Sequence, residues 1–252
     1  MSFESYMISH EGDFFPVLYQ SVRFEHFSKG RQLAVLHRSE DGHMPLVRTT
    51  TVYQTPSQPF VPIHETIINK IREASSIEDL RLNNAMLEIY DSRYTTMGFH
   101  TDQTLDLEPN SYICLFSCYE KGADSHPRLL TLKSKESGDE WEVQLLHNSA
   151  VVFSTATNQQ HLHKIEGKGL PEGYDNRWMG FTLRLSKSFV HFQDGVPCLV
   201  SNRSELGELT LATDEERKAF YRYKGRENRE IDFAYPEIRY TISPSDRIPA
   251  TP

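Results

Sequence analysis

The segment Tyr90-Asp-Ser-Arg-Tyr-Thr-Thr-Met-Gly-Phe-His100-Thr-Asp102 places a histidine and an aspartate two residues apart, after a Met-Gly turn in a β-prone run. On an extended strand, residues i and i+2 point to the same face. The His100 imidazole and the Asp102 carboxylate are therefore expected to converge on one point. Both groups bind metal ions, so this segment predicts part of a metal site.

A third ligand has to come from elsewhere in the chain. Two histidines and one carboxylate form a face that leaves three positions open on an iron(II) ion. His126 precedes a proline in a polar loop, and His147 lies at a turn, so we interpret both as surface residues.

His161 and His163 are the remaining candidates for the third ligand. They are two residues apart, so they point to the same face of a strand and this spacing does not choose between them. His163 enters the strand-like run His163-Lys-Ile165, whereas His161 ends the polar stretch Asn158-Gln-Gln-His161. We favour His163 and retain His161 as the alternative.

An arginine follows in the strand-like run Phe181-Thr-Leu-Arg184-Leu-Ser186. An arginine flanked by leucines is costly to bury unless it meets an anion, and its planar fork binds a carboxylate through two hydrogen bonds. Arg184 is therefore predicted to bind a carboxylate, with Thr182 and Ser186 on the same face. Arg177, at the start of this strand, is the competing candidate.

The fold class follows from the pattern around these residues. Strand-like runs recur at roughly ten-residue intervals, and the run 111–119 carries almost no charge, as a strand buried on both faces would. This spacing predicts a sandwich or barrel of antiparallel strands. The strand-like runs cover residues 85–90, 111–119, 128–132, 141–146, 150–155 and 178–185.

Helices are predicted on either side of this β-rich region. Residues 1–60 are interpreted as short strands and turns, with a strand-like run over 44–53. Apolar residues at 63, 67, 68 and 71 have helical spacing, and Thr213 with Glu216 forms a capping box that starts a charged helix ending at Gly225. We expect one domain over 1–204, in which 1–81 support the core. Residues 205–252 would add the charged helix and a Pro- and Ser-rich tail that packs on or frays from this domain.

Composition restricts the class of protein. The 252 residues are 38% hydrophobic and 25% charged, which is typical of a globular chain, and the net charge of −8 provides no global attraction to nucleic acid or anionic membranes. The cysteines Cys114, Cys118 and Cys198 have no zinc-like spacing and suit a reducing compartment. No apolar run reaches transmembrane length and no signal peptide is evident, so we expect an intracellular protein of the nucleus or cytoplasm without membrane contact.

The order His100-x-Asp102, His163, Arg184 resembles the Fe(II)/2-oxoglutarate-dependent dioxygenases, and most closely their AlkB-like group. The resemblance covers roughly residues 45–190. Residues 45–53 resemble the proline–arginine segment of that group's substrate lid, and residues 84–90 resemble the strand before the metal. The runs 111–119 and 128–132 resemble the strands that follow.

The resemblance implies a mainly β protein with flanking helices and a double-stranded β-helix, or jelly-roll, core. It implies that Fe(II) is held by His100, Asp102 and His163 and that 2-oxoglutarate is the cosubstrate. The far carboxylate of 2-oxoglutarate would meet Arg184, with Tyr90 alongside, and O2 would take the last site on the iron. No catalytic residue beyond the metal ligands is required.

The expected activity is oxidative decarboxylation of 2-oxoglutarate coupled to hydroxylation or oxidative demethylation of a substrate. An N-alkylated nucleobase is one substrate class that the resemblance implies, with nucleic acid as a partner. The alternatives are a hydroxylase of a protein side chain or small metabolite, and a jelly-roll binding module without catalysis.

Two departures from the AlkB-like pattern weaken the prediction of a nucleobase substrate. Nucleic-acid repair members carry an acidic residue two positions after the metal aspartate, where this chain has Thr104, and a second arginine six positions before Arg184, where it has Trp178. Tyr53, Phe99 and Trp178 are candidate stacking surfaces, but such aromatics more often pack in a core. The basic residues of 217–229 alternate with glutamates, which favours a solvated helix face over a phosphate-binding one.

Overall fold

Antiparallel strands dominate the computed structural model, which describes residues 3–27, 30–202 and 204–250. The strands are β1 (Glu4–Met7), β2 (Glu25–Phe27), β3 (Arg31–His37), β4 (Met44–Leu46), β5 (Gln58–Pro59), β6 (Asn84–Tyr90), β7 (Tyr112–Tyr119), β8 (Arg128–Ser134), β9 (Glu140–Leu145), β10 (Ser149–Ser154), β11 (His161–Glu166), β12 (Trp178–Arg184), β13 (Ser188–Gln193), β14 (Val196–Ser201), β15 (Ser204–Glu208), β16 (Thr210–Leu211) and β17 (Tyr240–Thr241). The helices are α1 (Phe14–Ser21), α2 (Pro62–Ser75), α3 (Thr155–Gln160) and α4 (Asp214–Glu227), with a 3-10 turn at Pro244–Arg247. The prediction of a mainly β chain with flanking helices is confirmed.

The main sheet has the order β1-β10-β7-β12-β6-β3-β2, and the short β5 pairs with β3. One face of this sheet buries apolar side chains against α1 and α2, as the helical spacing at residues 63–71 predicts. The other face carries the alternate residues of the same strands. Because directly opposed residues share a face, the register of β6 with its neighbours aligns Tyr90 with Arg31 on one side and Trp178 on the other.

A second sheet has the order β11-β8-β9, and the segment that carries His100 and Asp102 lies at its edge. His100 and His163 exchange two backbone hydrogen bonds of 3.0 and 2.7 Å, although no strand is formed around His100. The chain alternates between the two sheets, since β6, β7, β10 and β12 belong to the first and β8, β9 and β11 to the second.

A third sheet has the order β15-β14-β13-β4. Its strands β13, β14 and β15 follow the last strand of the main sheet in sequence, and β4 comes from the N-terminal part of the chain. The C-terminal residues then return to the body of the protein, where β17 pairs with β16 and the side chains of Ile238, Tyr240 and Ile242 are buried. Within the described part of the chain, no helix has both the length and the apolar character needed to cross a membrane.

Four local predictions differ from the structure. Residues 14–21 form a helix rather than strands, because Asp13 caps it and Phe14, Phe15 and Leu18 are buried on one face. The strand predicted over 44–53 ends at Leu46, where the chain leaves the sheet. Residues 155–160 form α3, and α4 continues beyond Gly225 to Glu227 because its last turn is bonded to the metal-binding loop.

Candidate metal centre

His100, Asp102 and His163 converge in the structure. One potential ligand atom from each side chain lies within 4.8 Å of those of the other two. Nε2 of His163 is 3.6 Å from Oδ1 of Asp102, and the two imidazole rings have centroids 4.6 Å apart. This cluster can hold a metal ion through two nitrogens and one carboxylate oxygen.

The His100 ring is oriented by its own loop. Its Nδ1 lies 3.0 Å from the carbonyl oxygen of Gly98, so Nδ1 donates and Nε2 is left as the ligand atom. Burial, with a further contribution from the neighbouring His163, lowers the pKa of His100 to about 3. His100 is therefore neutral near pH 7, which is the state that binds metal.

Asp102 forms a buried ion pair with Arg184. The Nε of Arg184 donates to Oδ2 of Asp102 at 2.7 Å, and Oδ1 remains directed to His163. Burial raises the pKa of Asp102, but the adjacent Arg184 and His163 outweigh burial and hold that pKa well below its ordinary value. The carboxylate is ionised before any metal binds.

The structure places His163, not His161, beside the other two ligands. His161 Nδ1 is 2.8 Å from the carbonyl of Thr157, and its ring packs edge-on against Phe3 and Trp141. His126 is exposed, and His147 Nδ1 accepts a hydrogen bond from the backbone of Tyr119. The preference for His163 agrees with this geometry, although its role as an iron ligand stays a prediction.

Residues far along the chain fix the loop that carries Asp102. Asn158 in α3 accepts from the Asp102 N–H and donates to the Asp102 carbonyl, both at 2.8 Å. At the other side, Glu227 of α4 accepts from both the N–H and the hydroxyl of Thr104. Lys224 donates to the Thr101 carbonyl at 2.6 Å.

These supporting contacts were not predicted from the sequence. Residues 158–161 looked like the end of a polar loop and Lys224 looked like part of a solvated helix face, but Asn158 and Lys224 are buried. Their partners are 56 and 123 residues away, and no local pattern encodes such contacts.

A cavity of about 260 Å³ opens beside the three ligands, between the two sheets. Its apolar wall is formed by Leu115, Leu130, Phe153 and Ile165. A larger depression of about 550 Å³ lies beyond the metal-binding loop and is lined by Thr104 and Tyr235, but it contains none of the three ligands.

The end of the cavity near Tyr90 carries a second ion pair. Nη2 of Arg31 lies 2.7 Å from Oε1 of Glu88, and the Tyr90 hydroxyl donates to the same oxygen at 3.0 Å. Burial lowers the pKa of Arg31, but Glu88 together with the neighbouring tyrosines raises it overall, so the guanidinium stays charged. Arg31 was not predicted as a site residue, since a strand-initial arginine has no distinctive pattern.

The structure separates Arg184 from Tyr90, the two residues predicted to bind one carboxylate. Arg184 is opposite Asn84 at one end of the β6–β12 pair, and Tyr90 is opposite Trp178 at the other end. Arg184 and Tyr90 therefore lie at different ends of this strand pair. Arg177, the competing candidate, is outside the cavity and is paired with Glu120 at 2.6 Å. The role of Arg184 toward 2-oxoglutarate stays a prediction.

Gln103, next to Asp102, is a polar side chain of the cavity whose amide atoms have no hydrogen-bond partner in the described part of the chain. Within the described residues, both its Nε2 and its Oε1 are buried and lack hydrogen bonds. An unpaired buried amide is costly, roughly 1–3 kcal/mol for each lost group. It therefore marks a position where a bound molecule can donate and accept at once.

The three aromatic residues named as candidate stacking surfaces, Tyr53, Phe99 and Trp178, each pack against other parts of the protein. Trp178 is buried over Gly180, where an added Cβ would be 2.1 Å from the indole. Tyr53 is buried, and its hydroxyl bonds Thr49. Phe99 lies under the ammonium of Lys164, 4.6 Å from the ring centroid. Thr104, at the position of the expected acidic residue, is bonded to Glu227.

Among the basic residues of 217–229, ion pairs with acidic neighbours are common. Lys218 pairs with Glu215, Arg226 with Glu230, and the buried Lys224 with Glu227. These pairs support the interpretation of a helix face rather than a phosphate-binding patch.

Comparison with protein-family models gives no match for this chain, and comparison with curated protein sequences gives none either. The chemistry of the centre is therefore inferred from the side chains of His100, Asp102 and His163 and from the cavity beside them.

Proposed function

We propose that the chain is an Fe(II)- and 2-oxoglutarate-dependent dioxygenase with a double-stranded β-helix core. The observation that carries the proposal is the convergence of His100, Asp102 and His163 at the wall of one cavity. Two imidazoles and one carboxylate on one side of an ion form the ligand set typical of non-haem iron oxygenases. The alternation of strands between two sheets, with the His-x-Asp segment at the edge of the second, supports the jelly-roll topology.

The charge of the cavity fits a divalent metal together with a dianion. Its charged side chains form three ion pairs, which are Arg31–Glu88, Arg184–Asp102 and Lys224–Glu227. The walls are thus electrically balanced before any ligand binds. A divalent metal would add two positive charges, which the two carboxylates of 2-oxoglutarate would compensate.

The positions of the two arginines give them different roles in this proposal. Arg184 is in contact with the metal aspartate, so it would keep that carboxylate in place and face the chelating end of 2-oxoglutarate. Arg31 lies beside Tyr90 at the other end and would hold the far carboxylate. Arg31 Nε and Nη2 contact Glu88, which leaves further N–H groups of the guanidinium for an anion.

When bound, the iron and 2-oxoglutarate would supply, with O2, the chemistry that forms succinate and carbon dioxide and oxidises a substrate C–H bond. The protein binds and orients the reactants. Asn158 and Lys224 hold the Asp102 loop, and the apolar wall restricts water.

Gln103 defines the chemistry expected of the substrate. Its amide requires a group that offers an acceptor and a donor side by side, as an amide or a nucleobase edge does. An N-alkylated nucleobase therefore remains a candidate substrate, and an amide-bearing side chain or metabolite is the alternative. The acidic net charge of −8 favours a small or neutral substrate over a long nucleic acid.

The test is succinate formation by protein reconstituted with Fe(II), 2-oxoglutarate and O2, with methylated nucleosides, oligonucleotides and peptides as added substrates. We expect succinate above the level of the Asp102→Ala variant, and stimulation by one substrate class. The His161→Ala variant is the matched control and should retain turnover. Binding of metal and 2-oxoglutarate without succinate would support a binding module instead.

A second measurement separates the substrate classes. Contacts to phosphates make binding of single-stranded oligonucleotides fall steeply with salt. A substrate that binds with little salt dependence would favour the small-molecule or peptide alternative.

A further inference from the structure

A second group of metal-ligating side chains lies on the third sheet, away from the proposed iron centre. His191, Cys198 and Glu205 each offer one ligand atom, and these atoms are all within 4.8 Å of one another. They come from three neighbouring strands, β13, β14 and β15. The sequence around Cys198 has no zinc-like spacing, because the potential partners of this cysteine come from other strands.

The strand register explains why these three side chains meet. His191 is directly opposite Cys198 in the β13–β14 pair, so both side chains are on the same face. Glu205 is opposite Val200 in the β14–β15 pair, and Val200 is two residues from Cys198, so the Glu205 side chain is on the same face as the Cys198 thiol. A register shift between Leu199 and Val200 interrupts this pair next to the three side chains.

The face of this sheet opposite the three side chains packs in an apolar cluster of Met44, Leu46, Val190 and Leu199. The other face carries His191, Cys198 and Glu205 instead. Among the described residues, Nδ1 of His191 is buried and has no hydrogen-bond partner. The ring of His43 lies beside that of His191, with centroids 5.0 Å apart.

We propose that His191, Cys198 and Glu205 form a zinc(II) site that joins β13, β14 and β15. Thiolate, imidazole and carboxylate are the ligands that zinc uses in proteins, and a thiolate selects against the harder Mg²⁺ and Ca²⁺. Bound zinc would add to the stability of the fold because the ligands do not preform a site in the unfolded chain.

The test measures zinc content by elemental mass spectrometry on the full chain carrying His100→Ala, which weakens the first centre. We expect one zinc per chain after dialysis, its loss with Cys198→Ser, and weaker binding with Glu205→Gln. Glu205 is exposed, so this variant should fold normally. His126→Ala, at an exposed histidine, is the control and should keep the zinc.

Cobalt(II) gives a second readout, which reports the type of ligand rather than the amount of bound metal. A thiolate ligand produces a sulfur-to-cobalt charge-transfer absorption, which we expect in the His100→Ala chain and not after Cys198→Ser. A chain without stoichiometric zinc, zinc retained in Cys198→Ser, or cobalt without this absorption would each overturn the proposal. None of these results bears on the iron centre.

Discussion

Arg184 and Asp102 form an ion pair across 82 residues of sequence, with Nε and Oδ2 separated by 2.7 Å and both side chains buried. The carboxylate that we propose as a metal ligand is thus charged and oriented without any metal. The buried guanidinium of Arg184 depends on the Asp102 carboxylate to balance its charge. The contribution of this pair to the free energy of unfolding can be measured.

Replacing Asp102 with alanine should destabilise the metal-free protein by about 3–5 kcal/mol, since a buried Arg184 loses its partner. Replacing Arg184 with methionine as well should recover part of that loss. Urea denaturation of the two single variants and the double variant gives the coupling energy. Additive effects of the two substitutions would show that the pair contributes nothing.

Iron content should distinguish the two histidines that the sequence left as alternatives. We expect His163→Ala to lose stoichiometric Fe(II) and His161→Ala to retain it, because His161 is bonded to the Thr157 carbonyl. Anaerobic titration with Fe(II) checks both variants. Loss of iron in His161→Ala alone would contradict the proposed ligand set.

The 2-oxoglutarate requirement should rise about ten- to hundredfold in Arg31→Gln, since a charge-assisted contact contributes about 1.5–3 kcal/mol. Iron content should not change, because Arg31 is at the Tyr90 end of the cavity. The control is Arg177→Gln, whose ion pair with Glu120 is outside the cavity. If Arg31→Gln leaves the 2-oxoglutarate requirement unchanged, the far carboxylate of 2-oxoglutarate would instead be assigned to Arg184.

Gln103→Leu should make the metal-free protein equally or more stable, because it removes a buried amide without a partner. Substrate-stimulated turnover should fall sharply while succinate formation without substrate persists. Thermal melting and a succinate assay with and without substrate measure both effects. A marked loss of stability would mean that the amide has a structural role instead.

The stability of the protein should fall as the pH drops below about 6.5. Burial lowers the pKa of His64 to about 4, and Nδ1 of this ring accepts a hydrogen bond from the Val61 N–H. The unfolded chain binds a proton at a pH where the folded chain does not, so stability is lost as the pH falls from the unfolded toward the folded pKa. Between about pH 7 and about pH 5, His64 should account for about 2 kcal/mol of that loss.

Urea denaturation at these two pH values checks the sign for His64. We expect His64→Gln to be less stable near neutral pH but to lose less stability on acidification. Asn69→Ala, on the exposed face of the same helix, should change stability equally at both pH values. An unchanged pH dependence in His64→Gln would contradict the assignment.

Several features could be predicted because they depend on residues close in sequence. The strand spacing indicated a mainly β chain, and the two-residue separation of His100 and Asp102 indicated their convergence. Thr213 and Glu216 form the expected capping box, with the Glu216 N–H 3.3 Å from the Thr213 hydroxyl. The α1 helix was missed because residues 1–60 were interpreted as strands and turns, although Asp13 provides the cap.

The sequence by itself determined the strand-rich class and the types of ligand that could hold a metal, since alternation and short spacing act over a few residues. Only the tertiary structure decided that Arg184 pairs with Asp102, that Arg31 faces the cavity beside Tyr90, and that Cys198 meets a histidine and a glutamate. These relationships depend on which strands become neighbours and in which register. The free energy of packing the whole chain sets that choice, and no short stretch of sequence contains it.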